Sequence, residues 1–234
     1  MFNLSNVGSI LAALLKRGPV FIWIYFQESV LFDILNRTNT HLRLAKTEGG
    51  KKYRLSEYED GVLYVASFTS VVTNTVNIAK DFLGNKFSAA QFIDLGCGKG
   101  KALLVYALNF KDAYAYPCIG IDYDIDLCNK AAINLKSVKL SSNLATVICA
   151  SALDMKQYIS SEILIVYTYN SFKGITFHKT LDNLSSYPHI LIYVDPYEEA
   201  MLSEYGYRIL ARRKGRYNAD TWLVAASSKI LEIL

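Results

Sequence analysis

In the stretch FIDLGCGKGKALL, residues 92–104, Asp94, Gly96, Gly98 and Gly100 occupy alternate positions. Glycines this dense are costly in chain entropy, so the stretch makes sense where bare backbone must approach something closely. A second acid, Asp122, closes the apolar run CIGID, with Asp124 two residues on. One carboxylate at such a place can accept both hydroxyl donors of a ribose. Further along, Asn170, Ser171 and Phe172 follow ILIVYTY, and Asp195 follows ILIYV. A carboxamide oxygen at 170 can accept from a substrate amine and aim its lone pair, while Phe172 can pack against an amine or cation. Asp195 or Glu198 can take a proton from that amine. Asn170 also suits a plain strand-exit turn.

These residues need elements to hold them at one end of a sheet. From residue 91 onward, short β-rich runs alternate with helical patterns, the signature of a parallel sheet covered on both faces. The pattern predicts strands over 91–95, 118–122, 146–150, 163–169 and 190–194, with helices over 101–110, 126–138 and about 176–184. Pro196 stops the fifth strand, because proline cannot continue a central ladder. Strands over 207–213 and 222–227 follow with no room for a helix between them, which closes the sheet with an antiparallel hairpin. Upstream, Phe68, Val72, Val76, Ala79 and Leu83 form a helical stripe leading into the glycine strand. The expected fold is α/β: a Rossmann-like, seven-stranded, mostly parallel sheet with helices on both faces. Residues 1–60 are expected to be a helical N-terminal extension or cap, and 61–234 the ligand-binding domain.

In an open parallel sheet the first strand-to-helix turn makes the ligand crevice. A dinucleotide fingerprint requires G-x-G-x-x-G, but Lys101 stands three residues after Gly98 and the third glycine is at 100. The pattern Asp94-x-Gly96-x-Gly98-x-Gly100 instead resembles the first motif of class I S-adenosylmethionine-dependent methyltransferases. That resemblance implies S-adenosyl-L-methionine as cofactor, with the glycines beside its methionine part and Asp94 holding its amino group. Asp122 resembles the second-motif acid that binds the ribose, and it also suits a cap for the following helix. Where the family commonly has Gly-Asp-Ala against the adenine, this chain has Ala150-Ser151-Ala152, so Ser151 and Ala152 become the adenine candidates, with Asp154 as another. Asn170-Ser171-Phe172 resembles the Asn-Pro-Pro-Tyr/Phe motif of amino-group methyltransferases without its prolines.

The blocks LFDILNRTNTHLRL, YVASFTSVV, FIDLGCGKGKALL, YNSF and IYVDP, in that order, are similar to a bacterial branch of this family with poorly defined substrates. Members typically show Asp-Thr where this chain has Asn39-Thr40, and Tyr-x-Pro-Ser where it has Tyr64-Val65-Ala66-Ser67. Tyr64, Ser67 and Thr69 are candidates to reach the cofactor carboxylate. Core packing for Tyr64 and helix capping for Ser67 and Thr69 remain open beside that role. The resemblance implies a methyltransferase. Its acceptor is read as nitrogen, such as a protein lysine or small amine, with a sugar or lipid-linked hydroxyl or a non-catalytic cofactor binder as alternatives.

Composition agrees with one large domain. The 234 residues are 52% apolar and 20% charged, with a formal net charge of +4. Arg212, Arg213, Lys214 and Arg216 form the one basic cluster, which reads as a solvated hairpin end, so a nucleic-acid partner is not expected. No Cys-x-x-Cys pair occurs and the histidines are His41, His178 and His189, so no metal site is expected. Reduced thiols fit a cytoplasmic location. The apolar run PVFIWIYF is too short to span a bilayer. It reads either as a helix covering the core edge or as one lying on a membrane surface, with Trp23 and Tyr25 at the interface.

Overall fold

The computed structural model describes residues 18–41, 60–62, 64–110, 115–140 and 143–234. The expectations for residues 1–17 and 42–59 lie outside the described residues.

Seven strands form one sheet in the order β3-β2-β1-β4-β5-β7-β6. They are β1 (Ala90–Leu95), β2 (Cys118–Asp122), β3 (Ala145–Cys149), β4 (Ile163–Tyr169), β5 (His189–Val194), β6 (Arg208–Arg213) and β7 (Trp222–Ala226). The first five are parallel, and β7 runs antiparallel to both β5 and β6. The Rossmann-like expectation therefore holds, and strand boundaries differ from those read in the sequence by a residue at most.

Strands β1, β2, β5 and β7 are buried at every position, which explains why they read as mostly apolar rather than alternating. Successive side chains feed opposite faces. Phe92, Ile165, Tyr167, Ile192 and Val224 join one core cluster, and Ile93, Val166, Leu191, Tyr193 and Leu223 join the other.

The helices, in chain order, are α1 (Pro19–Tyr25), α2 (Leu31–Asn36), α3 (Thr69–Leu83), α4 (Lys101–Asn109), α5 (Ile125–Ser137), α6 (Gly174–Leu184), α7 (Met201–Glu204) and α8 (Ser228–Ile233). Helices α1 and α2 are continuous through a π-helical turn, Phe26–Val30. The stripe Phe68, Val72, Val76, Ala79 and Leu83 packs α3 into the first cluster. Phe177, Leu181 and Leu184 pack α6 into the second. Phe21, at the start of α1, meets the ring of Tyr217 edge-on at 4.8 Å, so the N-terminal helix does cover a core edge.

The basic cluster also lies where it was expected. Arg212 and Arg213 on β6 point to solvent, with Arg212 paired to Glu199 at 3.0 Å and Arg213 near Asp220 at 3.8 Å.

Candidate active site

Strand order reverses between the parallel neighbours β1 and β4, and the carboxyl ends of those strands border a crevice. The glycine loop forms its floor. Gly96, Gly98 and Gly100 all have left-handed backbones, at φ 73°, 53° and 78°, which a residue with a Cβ adopts only under strain. The amides of Gly96 and Cys97 both donate to the Ile121 carbonyl, at 2.8 and 3.0 Å, so the loop is pinned to β2 before it turns into α4.

Asp122 fastens the same loop from the other side. Its Oδ2 accepts from the Gly98 amide at 2.8 Å and its Oδ1 from the Asp124 amide at 2.9 Å. Asp122 is not the cap of α5. That cap is Asp124, which accepts from the amides of Asp126 and Leu127. Burial raises the Asp122 carboxyl to about 6, although the amides of Asp124 and Gly98 pull it down. Asp94 is 3% exposed and is pushed up to about 8, by burial first and then by the negative charge of Asp122. Two carboxyls buried in one crevice favour a positively charged ligand over a pyrophosphate.

Of the candidates from sequence, Tyr64, Ser67, Asp94, Gly96, Asp122, Ala152, Asn170 and Phe172 line the crevice together. Gly98, Gly100, Ser151, Thr69 and Asp195 are not among its lining residues. Ser151 caps the short helix Ala152–Tyr158, its oxygen accepting from the Leu153 amide at 3.0 Å. Thr69 donates its hydroxyl to the Glu28 carbonyl at 2.8 Å, which ties α3 to the N-terminal helix. Neither Ser67 nor Thr69 caps α3, whose N-cap is Phe68. Ser67 accepts instead from the hydroxyl of Tyr167 at 2.9 Å.

Tyr64 is closer to the glycine loop than its sequence position suggested. A Cβ placed on Gly98 would collide with the Tyr64 ring, and one on Gly96 would collide with the Ser171 side chain. The bare faces of these two glycines are thus covered by the chain itself, which leaves a cavity of about 70 Å³. The Tyr64 hydroxyl donates to the Thr40 carbonyl at 2.8 Å. Thr40 belongs to a strap after α2 that is organised by Asp33, whose carboxylate accepts from the Thr38 and Thr40 hydroxyls, the Thr40 and His41 amides, and His41 Nδ1. Those bonds outweigh burial and hold Asp33 well below the usual carboxylate range. Asn39 continues the strap to Asn134, which in turn donates to the Lys99 carbonyl at 3.0 Å.

The far wall is built from the end of β4, backed by the end of β5. Asn170 and Asp195 both have left-handed backbones, at φ 40° and 49°, and such outliers gather at functional sites. Asn170 Nδ2 donates to Asp195 Oδ2 at 3.1 Å, and Asn218 Nδ2 donates to the same oxygen at 3.0 Å. That bond fixes the carboxamide and leaves Asn170 Oδ1 buried without a partner. Glu198 is similar, with Oε1 accepting from the Gly174 amide at 2.8 Å and Oε2 buried without a partner. Phe172 packs against Phe177 and forms a bridge to Gly61.

Sequence reading missed Asp60, which accepts from the amide and hydroxyl of Thr176 and so holds residues 60–62 along the Asn170–Phe172 turn. An acid far upstream of its helix gives no local pattern. It also missed Lys101, which is 1% exposed, lines the crevice, and has its ammonium 3.3 Å from the centre of the Phe32 ring. Burial lowers that ammonium to about 7. His178 and His189 do not line the crevice. His189 lies at the opposite end of β5, bonded to the Tyr187 carbonyl and the Tyr207 hydroxyl.

No family model and no curated protein matches the chain. Among solved structures it is similar to MtNAS in complex with MTA and tNA, at 10% identity over 68% of this chain and 60% of that one, with a TM-score of 0.50. An rRNA methylase from Streptococcus thermophilus aligns at 12% identity over 65% of this chain and 95% of that one, with a TM-score of 0.47. A ribosomal protein L11 methylase from Lactobacillus delbrueckii subsp. bulgaricus aligns at 13% identity over 68% of this chain and 77% of that one, with a TM-score of 0.46. What the chain shares with MtNAS is its fold.

Proposed function

We propose that the chain is an S-adenosylmethionine-dependent methyltransferase acting on a nitrogen acceptor. The observation that carries the reading is the buried pair Asp94 and Asp122, set on either side of a left-handed glycine loop. Its chemistry suits a ligand with an ammonium, a sulfonium and a ribose diol, and opposes a dinucleotide pyrophosphate. When bound, such a ligand would supply an electrophilic methyl group.

Asp94 would hold the ligand's amino group and Asp122 its ribose, while the backbone of Gly96 and Gly98 allows close approach. The Tyr64 ring and Ser171 would have to withdraw from those glycines to admit it. Asn170 Oδ1 is oriented by Asp195 and can accept from a substrate N–H, which aims the nitrogen lone pair. Asp195, bonded to Asn170 just outside the crevice lining, would receive the proton that an ammonium must lose, with Glu198 as the alternative. A hydroxyl acceptor needs a stronger base, and neither His178 nor His189 lines the crevice. Displacement at a sulfonium has a good leaving group, so positioning and exclusion of water supply most of what is required.

The test is calorimetric titration with S-adenosylmethionine, S-adenosylhomocysteine and NAD, followed by a labelled-methyl screen of amine-bearing and hydroxyl-bearing acceptors. Binding of both sulfur ligands and label transfer to an amine are the expected results. Binding of NAD alone would overturn the cofactor reading, and label on a hydroxyl would overturn the nitrogen reading.

A further inference from the structure

The N-terminal helix is apolar on two sides. Phe21, Ile24, Tyr25 and Phe32 pack inward on the core. Val20, Trp23, Phe26, Leu31, Ile34 and Leu35 face outward, with Trp23 61%, Ile34 61% and Leu35 72% exposed. The π-helical turn explains how these form one stripe. Leu31 follows Phe26 by five residues and its amide donates back to the Phe26 carbonyl, so the wide turn keeps the two in line. The rings of Trp23 and Phe26 stack at 6.1 Å. Single exposed apolar residues are ordinary, whereas a contiguous stripe marks an interaction surface.

Charge indicates the partner. Up to residue 48 the acids are Glu28, Asp33 and Glu48, and the first two are bonded within the chain. Glu28 accepts from the Ser70 amide at 2.9 Å, and Asp33 is 4% exposed within its strap network. The basic residues Lys16, Arg17, Arg37, Arg43 and Lys46 bracket the stripe in sequence, and Arg37 is exposed. An isologous contact with a second copy through this face would bring one net-basic segment against another. An anionic bilayer offers acyl chain to the stripe and phosphate to the bases, and tryptophan favours that interface. The helix is too short to enter further. Among the described residues, no helix is long and apolar enough to cross a membrane.

We propose that the outward face of residues 20–35 docks on an anionic membrane surface, lying in the headgroup layer. The inference stands apart from the reaction proposed above. It does bring the strap at Thr38–His41, and with it the crevice, close to the lipid.

The test uses the full chain with vesicles of phosphatidylcholine alone and of phosphatidylcholine mixed with phosphatidylglycerol. Trp222 is 9% exposed, so a shift in emission, and quenching by brominated lipid, report on Trp23. Sedimentation with the anionic vesicles, quenched Trp23 emission and weaker binding to neutral vesicles are the expected results. The double variant Trp23→Ala, Leu35→Gln should lower partitioning about tenfold or more, with an unchanged melting temperature and unchanged cofactor titration. Failure to sediment with anionic vesicles overturns the proposal, as does undiminished binding by the double variant. A lipid-free dimer that the same substitutions dissociate would also overturn it, by assigning the face to a second copy.

Discussion

The two sides of the crevice use their polar groups in opposite ways. At the β1 and β2 ends nearly every group already has a partner within the chain: Asp122 takes two amides, Ser67 takes the Tyr167 hydroxyl, and Tyr64 reaches the Thr40 carbonyl. At the β4 and β5 ends the backbone is left-handed at Asn170 and Asp195, while Asn170 Oδ1 and Glu198 Oε2 have no partner. Buried acceptors are rarely left unmatched unless something else fills them. The first side resembles a built receptor whose loop must hold its shape, and the second a strained site waiting for donors. Substitutions on the first should therefore damage both stability and binding, and those on the second should damage turnover alone.

Gly98→Val should have the largest effect. It adds a β-branched side chain at φ 53° and drives it into the Tyr64 ring. A stability loss of roughly 3 kcal/mol or more and no detectable S-adenosylhomocysteine binding are expected, by thermal melt and calorimetry. Next is Asp122→Ala, which orphans the Gly98 and Asp124 amides and removes the proposed ribose acceptor. Affinity should fall by about 1.5–3 kcal/mol, and unchanged affinity would leave Asp122 only its loop-fastening role.

On the acceptor side, Asn170→Ala should leave cofactor affinity within about twofold while lowering methyl transfer on the order of a hundredfold. A parallel loss of cofactor binding would erase the proposed difference between the two sides.

The carboxyls offer a pH test of the same contrast. Asp94 and Asp122 are raised in the folded chain, to about 8 and about 6, so their stabilising contribution is complete below about 4 and is lost as pH rises through those values. Asp33 is lowered, so its contribution is present above about 4 and lost below it. The ligand-free chain should therefore melt highest at mildly acidic pH and lose up to about 1.4 kcal/mol per pH unit for each proton released. Affinity for a ligand ammonium should rise over that interval, because Asp94 must be charged to hold it. Asp94→Asn should flatten both profiles, read by melting and titration from pH 5 to pH 8.

How much of this was legible in sequence follows the range of the interaction. The buried strands, the α3 stripe and the glycine turn all rest on local patterns, and those readings agree with the structure to within about a residue. Contacts that join distant segments left no such trace. The Tyr64 ring on Gly98, Asp60 on Thr176 and the Asp33 strap over the loop each depend on how a chain far away returns to the sheet. Hydroxyls were the least readable of all. Ser67 and Thr69 suit several roles by type, and only position shows one bonded to Tyr167 and the other to Glu28.

Ser151 gives the smallest and most discriminating prediction. Its oxygen is already held by the Leu153 amide as the cap of a short helix, and an accepting hydroxyl can still donate its proton elsewhere. Adenine offers both an amino donor and ring-nitrogen acceptors, so capping and adenine contact can coexist, with Ser151 either donating to a ring nitrogen or accepting from the amino group on its second lone pair. Ser151→Ala should cost about 1 kcal/mol of stability through the lost cap. If capping is its whole role, S-adenosylhomocysteine affinity will not change, and the adenine contact must come from backbone or from the neighbouring Ala152, which does line the crevice. A fall in affinity of about 1 kcal/mol, rescued by Ser151→Thr, would instead give the receptor side one polar group that serves both the fold and the ligand.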